Sequence, residues 1–521
     1  MFQLSTFLGT GILVLAYLAY LAVYRLTLSP VAHIPGPTLA KLTFWYEFYY
    51  DVVLTGQYTF KIKELHKKYG PVIRINPEEV HIADADFYDV IYTGSTQKRD
   101  KWAWFCNQFG IPDSAFATVK HDVHRMRRNA LNPFFSKGKV RSLQPLIEGV
   151  AHRLLSRFEE FKQSGEHFKL SMAYAALTND IAEMYALGRN DNRVEAKDFD
   201  PSFHDASVVG STMGHLTKQM PWILGLMQSL PDSAAVMMNP DMASYVKLQR
   251  DIKAQIEIIQ NHRGDTMYKD ARQKTIFHEI LNSDLPESEK SPSRLWQDGQ
   301  VTVIAGTLTT ASALSYATYC FLTQPDTLKR LRDELRTAIP DPNRLPPLAT
   351  LEQLPFLRSC IKEALRLSNG VSSRLQRIDP EKPIIFTDRV MMKGKDYVLP
   401  PGTPISMTGM LIHTDPEVFD KPGVFNPQRW LDNPGLDKYL VPFARGSRQC
   451  IGMDLAYAEL YVALALIFRL YGSKEVRMDD DRAYLELYDT QFERDIEIVG
   501  DGITPLNRKE SQGLRVCVSR A

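Results

Sequence analysis

Residues 1–24 carry no charged side chain, and from Phe7 to Tyr24 the chain is mostly Leu, Ala, Val, Ile and aromatic residues. Such a run exceeds the ~18–20 residues a helix needs to span a bilayer. A cleaved signal peptide would begin with a basic region, which is missing here. Arg25 and Lys41 follow on the C-terminal side only, a bias that leaves the body cytosolic. The pattern predicts a transmembrane anchor over 1–25 and a proline-rich hinge over 26–40 (SPVAHIPGP). A single large domain is expected over 41–521, since no repeat or linker-like stretch divides it. Within it, apolar periodicity predicts helices over 55–69, 116–131, 140–162, 171–187, 241–262, 297–322, 326–338, 356–368 and 453–470. Short strand patterns at 72–75 and 80–82 predict one hairpin, and those at 384–386, 390–391 and 404–407 predict others. The expected fold class is mainly α with small β-sheets.

The chain has 62 Lys+Arg against 61 Asp+Glu, a net charge of +1 over 521 residues, which argues against a nucleic-acid partner held by phosphate contacts. Its five cysteines, Cys106, Cys320, Cys360, Cys450 and Cys517, are scattered without a C-x-x-C pair. That excludes a disulfide scaffold and a cysteine zinc ribbon, so a cysteine with a chemical task works alone.

Cys450 has the context for such a task. Residues 443–452 read FARGSRQCIG, followed by an apolar helix pattern from Met453. Gly446 and Gly452 let the backbone turn tightly and bring N–H groups toward the sulfur. The start of the next helix favours a thiolate there. Phe443 can shield the sulfur, and Arg448 can reach an anionic group. With every fixed position of F-x-x-G-x-R-x-C-x-G present, the segment resembles the haem-binding signature of cytochromes P450. The resemblance implies that fold, haem b as cofactor and Cys450 as the iron ligand.

Other segments extend the likeness in chain order. Glu363 and Arg366 match the family's E-x-x-R, three apart on one helix face. Thr350-x-x-Gln353 reads as a helix-start box, with Pro355 opening the helix and Gly370 ending it. Phe425-x-Pro427-x-Arg429-Trp430 resembles the segment that completes a charge network with that pair. His124 and Arg128 lie where the family presents haem-propionate contacts, as does Arg377, with Arg374 its nearby rival. In the 297–322 helix, Ala305, Gly306 and Thr309 match the distal groove, Thr309 taking the place of the proton-delivering alcohol. The family commonly has an acid just before this threonine. Here it is Leu308, so protons are expected to travel through Thr309, Thr307 and water. Segments 102–109, 213–226, 303–307 and 371–373 are placed by analogy around an apolar substrate.

The resemblance therefore implies a monooxygenase that inserts one oxygen atom from O₂ into an apolar small molecule, with the protein orienting substrate and managing protons. No flavin- or nicotinamide-binding loop is visible, so electrons must come from a partner. For membrane-bound members that partner is an NADPH-dependent flavoprotein reductase, with cytochrome b5 as a second donor, at the endoplasmic reticulum membrane. The basic run from His124 to Arg128, with Lys137, Lys139 and Arg141, is the expected docking face. ALNPFFS, AGTLTTA and SSRLQR resemble fungal secondary-metabolism members of the trichodiene-oxygenase-like group, which implies a terpenoid or polyketide-derived substrate. The competing readings are a haem-thiolate isomerase or dehydratase that needs no reductase, suggested by Leu308, and a non-catalytic haem-binding membrane protein.

Overall fold

The computed structural model describes residues 2–189, 191–238, 240, 242–261, 275–389 and 394–520. Its principal helices are α1 (Phe2–Val23), α2 (Tyr58–Tyr69), α3 (His121–Leu131), α4 (Gln144–Ser164), α5 (Leu170–Leu187), α6 (Ser202–Gln219), α7 (Pro221–Ser229), α8 (Met242–Asn261), α9 (Pro292–Thr323), α10 (Pro325–Ala338), α11 (Pro355–Ser368) and α12 (Met453–Leu470). The strands are β1 (Val72–Arg74), β2 (Val80–Ile82), β3 (Phe168–Lys169), β4 (Ile384–Asp388), β5 (Lys395–Leu399), β6 (Ile405–Ser406), β7 (Tyr471–Ser473), β8 (Ala483–Leu487), β9 (Gly500–Gly502), β10 (Thr504–Leu506) and β11 (Arg515–Arg520). The fold is mainly α with small sheets.

Helix α9 runs through the core, packed along α5 and against α8, α11 and α12. Residues 299–325 are uncharged, like the N-terminus, but much of this helix is buried in protein. Helices α5 and α12 are apolar nearly all round because they too are enclosed. Helix α10 shows the other pattern: Leu328, Leu331 and Leu335 face inward while the charged face meets water. By contrast, no residue of the apolar span Gly9–Leu28 is buried in the protein.

Three expectations change. The 404–407 pattern makes no hairpin of its own: β6 adds to β2 in parallel, Val80 opposite Ile405, extending the β1–β2 hairpin to three strands. Strand β4 pairs instead with the unpredicted β5, Ile384 opposite Leu399, and the expected strand at 390–391 lies outside the described residues. The helix expected over 116–131 starts only at His121. Before it, the backbone N–H groups of Asp113 and Ala115 are drawn to Gln297 Oε1 and Asp298 Oδ1 of α9.

The proline-rich segment is tied down. Val31, Ile34 and Ala40 are buried, Arg74 N–H donates to Pro35 O at 2.7 Å, and Arg25 Nη1 donates to Leu42 O at 2.6 Å. A Cβ at Gly36 would stand 2.3 Å from Arg74 O. The prolines therefore stiffen a strut packed on β1 rather than a free joint.

Glu459, midway along α12, is 1% exposed, and its Oε2 has no hydrogen-bond partner among the described residues. Burial raises its carboxyl well above the ordinary value of 4.5, so it stays protonated in the folded chain. The unfolded chain releases that proton above its own pKa. Stability is thus full at lower pH and falls as pH rises, by about 1.4 kcal/mol per pH unit, until the folded group ionises. Urea unfolding of Glu459→Gln at pH 6, 7 and 8 should show this slope removed. A variant with the wild-type slope would mean the carboxyl is already ionised.

Candidate active site

The cysteine loop is organised mainly by its own backbone. Cys450 N–H donates to Phe443 O at 2.9 Å and Gln449 N–H to Gly446 O at 3.1 Å. Gly446 has φ +75°, and a Cβ there would lie 2.0 Å from Thr93 O, which already accepts the Ser447 N–H at 3.0 Å. Gly446 is therefore required by close approach to Thr93, and not to aim an N–H at the sulfur. Gly452 does bear on the sulfur: just before α12 begins, its N–H favours the thiolate. Phe443 is half-buried, with its ring 5.3 Å from that of Tyr457. Burial raises the Cys450 thiol above its ordinary 9.0, opposed by the Gly452 N–H and the Arg128 charge. Yet the Cys450 side chain is accessible. An accessible sulfur that has also lost hydration lines an internal cleft and does not sit on the outer surface.

Near this loop five basic side chains influence one another. Arg448 is buried and hydrogen-bonds the carbonyls of Thr118 and Val119, while its Nε has no partner among the described residues. Burial first and the charge of Arg377 second lower its pKa to about 9. Burial, then Arg448, Lys101, Arg128 and Arg377, lower His124 to about 2. Lys101, half-buried with its ammonium on Phe116 O, is lowered to about 7, again mainly by burial. Among the described residues, Arg377 reaches only Gln376 O, at 2.8 Å, and the face of Tyr92. Its rival Arg374 is committed to Glu79 at 2.9 Å and Glu47 at 2.7 Å. The carboxylate that bears on Arg448, Asp100, already holds Lys120 and the His121 N–H. Arg128 donates to Gln449 O at 2.6 Å and to Asn132, so it braces the cysteine loop as well. Buried cations with so little compensation fit a ligand that brings its own carboxylates.

On α9, Ala305 is exposed and Thr309 half-buried, one turn apart on a common face. Thr309 Oγ1 donates to Ala305 O at 2.8 Å, which leaves its oxygen free to accept. Thr307 lies about 200° around the helix from Ala305. It is 1% exposed, donates to Val303 O and accepts from Asn179 Nδ2 at 3.0 Å. It faces α5, so the expected route through Thr307 is not available. Gly306 is explained by packing: a Cβ there would meet the Ala182 Cβ of α5 at 3.1 Å. The expected groove has its open side at Ala305.

Glu363 ties α11 to the segment before the cysteine loop. It accepts from Arg366 at 2.8 and 2.9 Å, Arg429 Nε at 3.0 Å, Trp430 Nε1 at 2.9 Å and Asn426 N–H at 2.9 Å, in full burial. Arg366 also donates to His413 O and Pro422 O. The helix-start box at Thr350 does not form, because Thr350 lies inside the short helix Leu348–Leu351; α11 begins at Pro355. Asn369, in a left-handed conformation, caps its end.

Residues 35–486 match the family described as Cytochrome P450. The chain belongs to the cytochrome P450 family. It is 52% identical over 503 residues to cytochrome P450 monooxygenase tpcC of Cochliobolus heterostrophus, covering 96% of this chain and 95% of that one. It is 40% identical over 517 residues to tryptophan 6-hydroxylase fscE of Fusarium equiseti, covering 98% and 97%. It is likewise 40% identical over 512 residues to N-acetyltryptophan 6-hydroxylase ivoC of Emericella nidulans, covering 97% and 96%. As a cytochrome P450 it uses haem b, and it is a monooxygenase akin to those of fungal secondary metabolism.

The residues of this cytochrome P450 fit the cofactor: a lone accessible sulfur, and buried cations suited to the two haem propionates. Lys101 was missed by sequence reading, although a lysine inside the aromatic run KWAWF is itself a signal. Gly370, read as a helix stop, instead lies against Thr309, where a Cβ would be 3.3 Å from the threonine Cβ. Of the expected substrate-lining stretch 213–226, the α6 part faces inward at Gly214 and Thr217, but Trp222 and Leu226 of α7 point outward. Val303 and Thr307 are buried and do not line the cleft.

Proposed function

We propose that this protein is a membrane-anchored haem-thiolate enzyme that inserts one atom of O₂ into an apolar secondary metabolite of terpenoid or polyketide origin. Electrons come from an NADPH-dependent flavoprotein reductase, with cytochrome b5 as a second donor. The observation that carries this reading is the accessible Cys450 sulfur in an interior cleft beside buried cations with little compensation. Cys450 holds the iron, framed by Phe443, Gly446, Arg448 and Gly452. His124, Arg128, Arg377, Arg448 and Lys101 hold the propionates. Ala305 opens the distal side, Gly306 keeps α9 close to α5, and Thr309 passes protons. When bound, haem with a thiolate ligand supplies oxygen activation and O–O cleavage.

The names of the two tryptophan-type hydroxylases support including aromatic rings among the groups oxidised. The anchor over 1–25, strut over 26–40 and enzyme domain over 41–521 suit a single-pass protein of the endoplasmic reticulum with a cytosolic body. Exposed Trp222 and Leu226 add apolar surface compatible with a membrane. His124 is buried and Arg127 pairs with Glu289, so the reductase face reduces to Arg125 and Lys139, with Lys137 and Arg141 beside them sharing Glu352.

Reduced protein treated with carbon monoxide should show a red-shifted thiolate Soret band, and NADPH oxidation should depend on added reductase and rise with substrate. Haem-containing protein without that band would overturn the reading. Thr309→Ala should keep NADPH oxidation within a few-fold while product falls about 100-fold and hydrogen peroxide rises, at the low end of the 10²–10⁴ range that positioned proton transfer contributes. Thr309→Ser should restore coupling; unchanged coupling in the alanine variant would remove Thr309 from the proton route.

A further inference from the structure

Helix α9 is gripped from behind, by α5, at the turn that carries Ala305. Asn179 Nδ2 donates to Thr307 Oγ1 at 3.0 Å, and Thr307 Oγ1 passes its own proton to Val303 O at 2.8 Å. Thr178 Oγ1 lies 2.9 Å from Thr307 O, nearer than to either carbonyl of its own helix. On the opposite face Thr309 Oγ1 donates to Ala305 O at 2.8 Å. Three alternate carbonyls of α9, at 303, 305 and 307, therefore each meet a hydroxyl. Such bonds compete with the helix's own N–H donors and bend it.

The amide of Asn179 is itself locked. Its Oδ1 accepts from Arg193 Nε at 3.0 Å, which leaves its N–H₂ group for Thr307. Arg193 is buried, and its guanidinium pairs with Asp200 and, at 3.1 Å, with Asp191. The N–H groups of Arg193 and Val194 donate to the buried Asp180 side chain of α5 at 3.0 and 3.1 Å. Asp200 also accepts from the Ser202 hydroxyl, at the first residue of α6, at 2.7 Å. Asp198, Phe199 and Asp200 have φ of +52°, +60° and +40°. Three successive left-handed residues without a glycine persist only where their surroundings hold them. Along this line every donor points the same way, from Arg193 to Asn179 to Thr307 to Val303 O. A chain so polarised is stronger than its separate bonds.

We propose that Asn179 is a positioning residue for proton delivery: through Thr307 it fixes the bend of α9 that presents the Thr309 hydroxyl. With Leu308 before Thr309 and residues 299–325 uncharged, α9 has no charged group of its own there to fix that hydroxyl. Its placement is set from α5 instead. The assignment rests on the reading of Thr309 as the residue that passes protons.

The test uses the purified, haem-loaded full chain with reductase, NADPH and O₂ and no added substrate. Each peroxide formed takes two electrons and each pair of waters four, so NADPH, O₂ and peroxide together give the ratio of peroxide to water. Asn179→Ala should raise that ratio by about tenfold with the carbon monoxide band intact, less than the roughly 10²-fold that a 1 Å misplacement of a reacting group costs. In a Thr309→Ala background it should raise the ratio no further, because it acts through that hydroxyl. Should Asn179→Ala fail to hold haem, Thr307→Val keeps the shape, removes the link and should give the same rise; Thr307→Ser, which restores the hydroxyl, should return the wild-type ratio. Lowered thermal stability with an unchanged ratio would overturn the assignment and leave Asn179 a purely structural residue, as would an undiminished rise in the Thr309→Ala background. If Thr309→Ala alone leaves the ratio unchanged, the parent reading fails, so the two failures are distinguishable.

Discussion

Cys450→Ala protein should fold but lose the red-shifted Soret band of its reduced carbon monoxide complex completely, with oxygenation falling by more than about 100-fold. That exceeds the 10–100-fold cost of removing an outer partner of a metal ligand. The loop does not depend on the sulfur for its shape. The Cys450 N–H bond to Phe443 O, the left-handed turn at Gly446 and the Ser447 bond to Thr93 all survive the substitution. What is lost is the single group that the Gly452 N–H and Arg128 bias toward the thiolate. Cys450→Ser should behave the same way, since a hydroxyl is a far weaker acid than a thiol and supplies no thiolate. A retained thiolate-type band in either variant would assign the iron to another residue.

Arg366→Ala should be recovered mostly unfolded or haem-free. The substitution leaves Glu363 fully buried and facing Arg429, Trp430 and Asn426, short of its bidentate partner. It also strips the His413 and Pro422 carbonyls of their donor. Breaking a buried pair from one side costs about 3–5 kcal/mol, a large part of the 5–15 kcal/mol by which proteins are stable. Arg366→Lys should recover little, because an ammonium cannot make the fork that meets both carboxylate oxygens. The measurements are haem content per chain and thermal unfolding; a stable, fully loaded alanine variant would contradict this role.

The parts that were legible in the sequence are those whose interactions are local. The cysteine loop lies within ten consecutive residues, and its peptide bonds and glycines organise it from within. Helices α4, α5, α8, α9, α10, α11 and α12 follow from apolar spacing, because each side chain's face is set by its own helix. The Glu363–Arg366 pair is likewise a three-residue relation on α11. Even there the sequence was silent on reasons. Gly446 looked like a donor of N–H groups and is instead a point of contact with Thr93. Gly306 looked like a groove and is a contact with Ala182.

What the sequence by itself determined is the family, the cofactor and most of the helices, because a contiguous motif and a helical period are readable from neighbours along the chain. Only the tertiary structure decided between Arg374 and Arg377. The first meets Glu47 and Glu79, almost 300 residues or more away, and is neutralised; the second finds a carbonyl and stays available. It also turned Thr307 toward α5, added Lys101 to the cations and brought Asp501 to Thr59, Ser372 and Ser373. Pairings of this kind depend on which distant segments share a desolvated space, where an unmatched charge is costly. That matching is a property of the packed chain and has no period or spacing along the sequence.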